Sequence, residues 1–182
     1  MLVKGQSRRS TLQSVLEEPA IAIPDELEQA FRAQHRLVFR TAYRVTGNAA
    51  DAEDVLQTVF LRLLRRGPGS DPLENPEGYF RRAAVNTALD VIRSRQSDAT
   101  VSLSDEIAAR QQPDVSSLRQ TLARAIAQLK PRSAEIFALR FIEGLSNQEI
   151  AETLGISQVL VAVIIHRTRQ QLRKQLRPLL RR

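Results

Sequence analysis

Between Asn48 and Arg65 the apolar residues Ala52, Val55, Leu56, Val59, Phe60 and Leu63 recur at spacings of three and four. Only an α-helix gathers such positions onto one face, because its turn takes about 3.6 residues. Asn48 supplies a natural N-cap, and Asp51 sits where the positive end of the helix favours a carboxylate. Gly67-Pro68-Gly69 is the stop signal. The same punctuation recurs on either side. Pro24, Asp25 and Glu26 open a helix that runs to Thr46-Gly47, and Asn75-Pro76-Glu77 opens another that carries Phe80, Ala84, Ala88 and Val91 inward to about Ser97. Aromatic residues make up 4% of the chain, with no Trp. That composition favours helices packed on helices, so the fold class expected is all-α.

Residues 1–23 read as a loosely ordered tail and 24–97 as a first helical domain. Residues 98–113 lack a sustained apolar stripe and end at Pro113, which marks a flexible linker. A second small domain, 114–182, restarts with Leu118, Leu122, Ala125 and Leu129 and breaks at Pro131. A helix from roughly Ser133 to Glu143 stops at Gly144. Two more follow, Asn147–Leu154 and Ser157 onward, joined through Gly155-Ile156. Ser146 and Glu149 have the spacing of a capping box. Ile150, Ala151, Leu154, Val161 and Ile165 form a wedge between the two members, the pattern of a helix-turn-helix.

Charge narrows the choice of partner. The 27 Lys and Arg outnumber the 20 Asp and Glu, a net charge of +7. No acidic residue occurs from Ile156 to Arg182, where Arg167, Arg169, Arg173, Lys174, Arg177, Arg181 and Arg182 crowd together. One sign concentrated on one terminal helix suits a phosphate-bearing partner. The absence of Cys excludes disulfides, thiolate metal sites and thiol nucleophiles. With His35 and His166 the only imidazoles, a metal site would need carboxylates throughout, and no cofactor is expected. No nucleophile–base pair or Gly-rich phosphate loop is present, so the expectation is a protein that is not an enzyme. No apolar run reaches the roughly 20 residues that span a bilayer. The opening MLVKGQSRRSTLQSVLEEP lacks the apolar stretch of a secretory signal. A cytoplasmic location without membrane insertion is expected.

Three helix faces carry candidate binding residues. On the helix after Asn48, Asp51, Glu53, Asp54 and Gln57 form an acidic, polar flank. DNA would repel it, which leaves a protein partner or plain solvation. On the helix after Pro76, Arg82, Asn86, Asp90 and Arg93 share one face, and cations with an amide can hold a phosphate backbone and a base edge. Asp90 serves equally as an intrahelical partner of Arg93 or Asn86. On the last helix Val161, Ile165 and Leu172 turn inward, leaving Val159 and Val163 outward beside Gln158, His166, Arg167, Gln170 and Lys174. Those valines can meet thymine methyls while the polar residues contact bases and phosphates, or the face can bind protein. The DNA reading is favoured because the arginines that follow are useless to an apolar partner.

With these motifs in view, the chain resembles the extracytoplasmic-function sigma factors of the sigma-70 family. LKPRSAEIFALRFIEGLSNQEIAETLGIS followed by HRTRQQLR is similar to their region four. NAADAEDVLQTVFLRLLRR and YFRRAAVNTALDVIRSRQ, in that order, are similar to segments of their region two. The three blocks keep the family's order across about residues 25–177. The resemblance implies that Asp54, Gln57 and Phe60 dock RNA polymerase core, whose β and β′ subunits would be partners. It implies that Tyr79, Arg82, Asn86 and Arg93 engage the melted minus-ten strand, with Asn86 at the family's base-capturing position. It further implies that Ser157, Gln158, Val159, Val163, His166, Arg167, Gln170 and Lys174 face the minus-35 element of promoter DNA. An anti-sigma factor is a family expectation. Two departures stand out. The strand-opening patch holds only Tyr79 and Phe80, and the recognition helix carries valines where the family has a polar run.

Two other functions compete. A helix-turn-helix regulator acting without polymerase would self-associate on a palindromic site, but it gives no reason for the acidic flank. A nucleic-acid-modifying enzyme would need a catalytic cluster that the chain lacks.

Overall fold

The computed structural model describes residues 25–65, 73–101 and 115–177. Over these the chain forms seven helices: α1 (Asp25–Thr46), α2 (Ala49–Arg65), α3 (Pro76–Val101), α4 (Val115–Ala127), α5 (Pro131–Phe141), α6 (Asn147–Leu154) and α7 (Gln158–Leu176). Among the described residues there is no strand. The fold is all-α. The expected N-terminal tail, the Gly67-Pro68-Gly69 stop, Pro113 and the terminal Arg181 and Arg182 lie outside the described residues.

Local chemistry accounts for most boundaries. The Asn48 side chain accepts from the Asp51 amide at 3.1 Å, and that of Asn75 accepts from the Gly78 amide at 2.8 Å. Each satisfies an orphan donor of a first helical turn. Two boundaries depart from the sequence expectation. Helix α3 continues to Val101 because the run from Ser94 to Val101 contains neither Gly nor Pro. Helix α5 starts at Pro131 rather than near Ser133, with the proline in the first turn, where its missing N–H is harmless.

Helices α1, α2 and α3 pack on one another around Val38, Ala42, Val55, Val59, Phe80, Ala84, Val85, Ala88 and Leu89, all buried. An aromatic chain runs through this core: Phe31 meets Phe60 edge-on at 4.9 Å, and Phe60 stacks with Phe80 at 5.3 Å. Ile136, Leu139, Ile150 and Val161 fill the space among α5, α6 and α7. Burying side chains of this size contributes about 2 kcal/mol each. Of the four apolar residues that restart this half, Ala125 and Leu129 are buried, whereas Leu118 and Leu122 are exposed on α4; Ala123, Ile126 and Ala127 also turn inward.

The two sets of helices meet. Helix α3 touches both α4 and α5, and α4 also reaches α1. The contact includes carboxylates: Glu135 and Glu143, both buried, come from the α5 segment and point toward α3 and α1.

Candidate nucleic-acid interfaces

The helix-turn-helix is built from its caps outward. Ser146 accepts from the Glu149 amide at 3.1 Å while the Glu149 carboxylate accepts from the Ser146 amide at 2.7 Å, a complete capping box. The amide hydrogen bond from Ser146 holds the Glu149 carboxyl below the usual carboxylate range. Gly155 closes α6 in the left-handed region (φ 62°), where a side chain would be strained. Ser157 then caps α7 by accepting from the Leu160 amide at 3.2 Å. The chain bends by 111° between α6 and α7. Ile150, Ala151, Leu154, Val161 and Ile165 are all buried at the wedge.

That bend leaves one face of α7 free. Val159 is 73% exposed, and Leu160 and Val163 are exposed beside it. Ser157, Gln158, His166, Arg167, Gln170 and Lys174 are exposed on the same helix or its cap. Gln170 Nε2 lies 2.9 Å from His166 Nε2, which fixes the two side chains relative to each other. The Arg169 guanidinium lies over the Phe141 ring, 5.7 Å from its centroid, which braces α7 against α5.

On α2, Glu53, Asp54 and Gln57 are exposed, whereas Asp51 is not part of that flank. Asp51 lies within the fold, paired with Arg95 of α3. Burial raises its carboxyl above the ordinary range, and the Arg95 charge only partly offsets this. Phe60 is a core residue, held between the Phe31 and Phe80 rings, and the helical stripe explains why.

Helix α3 shows the largest difference from a free surface. Arg82 Nε donates to Glu135 Oε1 at 2.6 Å, and Asn86 Nδ2 donates to the same oxygen at 2.8 Å. Arg93 Nε donates to the Ala127 carbonyl of α4 at 2.8 Å, and its Nη1 reaches Asp90 at 2.8 Å. Asp90 is therefore the intrahelical partner of Arg93. Tyr79 is half-buried, edge-on to Phe80 at 5.4 Å. One residue along, Arg81 donates to Glu143 at 2.8 Å and also pairs with Glu77.

Sequence reasoning missed the carboxylates that complete this arrangement. Glu143 accepts from Thr41 at 2.8 Å and from Arg81, with Arg44 at 3.5 Å; Glu135 also pairs with Arg132 at 3.0 Å. A signal existed, since Glu135, Leu139 and Glu143 fall at spacings of four, the first two on the buried stripe of α5 and Glu143 two residues past its end. Carboxylates at such positions need partners from neighbouring helices.

Residues 30–98 match the family described as Sigma-70 region 2, and residues 119–172 match Sigma-70, region 4. The chain is 37% identical over 147 residues to the ECF RNA polymerase sigma factor SigE of Mycolicibacterium smegmatis, covering 76% of this chain and 57% of that protein. It is 30% identical over 159 residues to the ECF RNA polymerase sigma factor SigW of Bacillus subtilis, covering 78% and 84% respectively. The solved structure of CnrH in complex with the cytosolic domain of CnrY shares the fold, with a TM-score of 0.53 at 23% identity over 86% of this chain and 91% of that one. The chain belongs to the sigma-70 family of RNA polymerase sigma factors, within its extracytoplasmic-function group. Its role is therefore in transcription initiation with RNA polymerase, and a helix-turn-helix regulator independent of polymerase is not favoured.

Among the described residues no single helix is long and apolar enough to cross a membrane.

Proposed function

We propose that this sigma factor divides its work between two helical bodies, 24–97 and 114–182, joined through 98–113. Asp54 and Gln57, exposed on α2, dock core polymerase, with Phe60 shaping that helix from behind. Tyr79, Arg82, Asn86 and Arg93 of α3 engage the melted minus-ten strand, Asn86 taking a base edge and the arginines the backbone. Ser157, Gln158, Val159, Val163, His166, Arg167, Gln170 and Lys174 meet the minus-35 duplex. The valines contact thymine methyls, and the cationic side chains contact phosphates. The protein acts by binding, without a covalent step of its own, in the cytoplasm where polymerase works. An anti-sigma protein holds it inactive until it is needed.

The observation that carries this reading is the outward face of α7, where exposed valines lie beside cations on a capped helix that bears no acidic residue. Run-off transcription with purified core enzyme is the test. Asn86→Ala should spare assembly with core but impair opening, and Asp54→Ala should weaken assembly itself. If both variants transcribe like the parent chain, the assignment of these faces fails.

A further inference from the structure

Helix α1 carries two rows of side chains at spacings of four. One is Phe31, His35, Phe39 and Tyr43; the other, one residue along, is Arg32, Arg36, Arg40 and Arg44. Residues four apart lie about 6 Å from each other along a helix, so each row forms a ridge that turns slowly around the axis. The aromatic ridge starts against the core, where Phe31 meets Phe60, and ends in solvent at Tyr43, which is 44% exposed. The arginine ridge starts in solvent and ends at Arg44, beside Glu143. The two ridges share the outer face of α1 in between, with Phe39 and Tyr43 next to Arg36 and Arg40.

The Phe39 and Tyr43 rings are stacked nearly parallel, with 9° between their planes and centroids 6.4 Å apart. Arg32 pairs with Glu28 and Arg44 with Glu143, whereas Arg36 and Arg40 are exposed and pair with no carboxylate among the described residues. Flat rings beside unpaired guanidiniums suit a single-stranded nucleic acid: its bases stack on the rings and its phosphates take the cations. A duplex keeps its bases stacked on one another. An acidic protein surface would answer the arginines and leave the ring faces idle.

We infer that the outer face of α1 is a track for single-stranded DNA, with Phe39 and Tyr43 as its stacking platform and Arg36 and Arg40 as its phosphate contacts. The track is separate from the faces assigned above on α3 and α7, and the inference rests on neither. It holds the strand without regard to sequence, because every base offers a ring face.

The full-length chain is titrated with a labelled oligothymidylate at several salt concentrations, without polymerase. Arg36→Gln/Arg40→Gln removes two phosphate contacts. It should weaken binding about tenfold at low salt and lower the slope of log affinity against log salt by about 1.4. Tyr43→Leu keeps an apolar side chain without a flat ring, and should weaken binding about tenfold with the slope unchanged. A control, Arg65→Gln/Arg119→Gln, removes the same charge from exposed positions on α2 and α4 and should leave binding close to that of the parent. An oligonucleotide carrying iodouracil, irradiated on the parent chain, should couple to Tyr43 or Phe39, as located by peptide mass.

Binding that both α1 variants leave unchanged overturns the track. Coupling at Tyr79 alone places the strand on α3 and overturns it too. An equal loss in the Arg65/Arg119 control reduces the effect to net charge. Weaker pull-down of core polymerase by the α1 variants, with oligonucleotide binding unaltered, makes this a protein face instead.

Discussion

Arg82 of α3 and Glu135 of α5, 53 residues apart in sequence, are joined at 2.6 Å, and Asn86 shares the same carboxylate oxygen at 2.8 Å. The pair is asymmetric. Glu135 is buried, whereas the Arg82 side chain is 44% exposed. Removing the arginine leaves Glu135 with Asn86 and Arg132, so Arg82→Ala should lower unfolding free energy by only about 1 kcal/mol. Removing the carboxylate leaves several donors unanswered, and Glu135→Ala should cost about 1–3 kcal/mol. Urea titrations of the two variants check the order.

Phe60 and its neighbours on α2 should separate cleanly. Phe60→Ala empties the space between Phe31 and Phe80 and should cost about 3–4 kcal/mol. Asp54→Ala and Gln57→Ala alter exposed positions and should stay within about 0.5 kcal/mol of the parent. Thermal unfolding beside a core-polymerase pull-down gives both readings. Loss of binding at Asp54 without loss of stability supports direct contact.

Two carboxyls give opposite pH dependence. Burial raises Asp51, so its contribution is full below its unfolded pKa, near 4, and declines as pH rises through the elevated folded value. Hydrogen bonds lower Glu149, so its contribution is present above the unfolded value and is lost as pH falls through the depressed one. Asp51→Asn should therefore flatten the decline in stability above about pH 4. Glu149→Gln should remove part of the loss in more acidic solution. Urea midpoints from pH 3 to pH 7 read both slopes.

On α7, Arg167→Ala should weaken promoter binding by holoenzyme evenly across sequences and reduce the slope of log affinity against log salt by about 1. Val159→Ala should leave that slope unchanged while relaxing preference at one position of the minus-35 element. Ser157→Ala removes the cap bond to the Leu160 amide and should cost about 1 kcal/mol of stability. Binding isotherms at several salt concentrations distinguish the first two effects.

Local signals in the sequence account for the helices and fail at the contacts between them. Asn48, Asn75, Ser146 and Ser157 announce their helix starts because a cap acts within three residues. The wedge of the helix-turn-helix is equally legible, since its five apolar residues lie within 16 positions of one another. Asp51 reads as a surface acid because its partner, Arg95, lies 44 residues on and no local pattern links them. Leu118 and Leu122 mislead for the opposite reason: α4 buries Ala123, Ile126 and Ala127 against α3, a face chosen by its neighbour rather than by its largest side chains. The exposed face of α7 could be inferred because inward positions there repeat regularly. The occupied face of α3 could not, because its occupant comes from α5.

A screen for variants that unfold more readily would reach the turn after α5 as well as the apolar core. Glu143 contacts α1 and α3 at once through Thr41, Arg44 and Arg81. Mutations at any of these four codons would loosen the same joint, so destabilised alleles should cluster in space while scattering along the gene. Alleles in α7, by contrast, should alter which start sites are used.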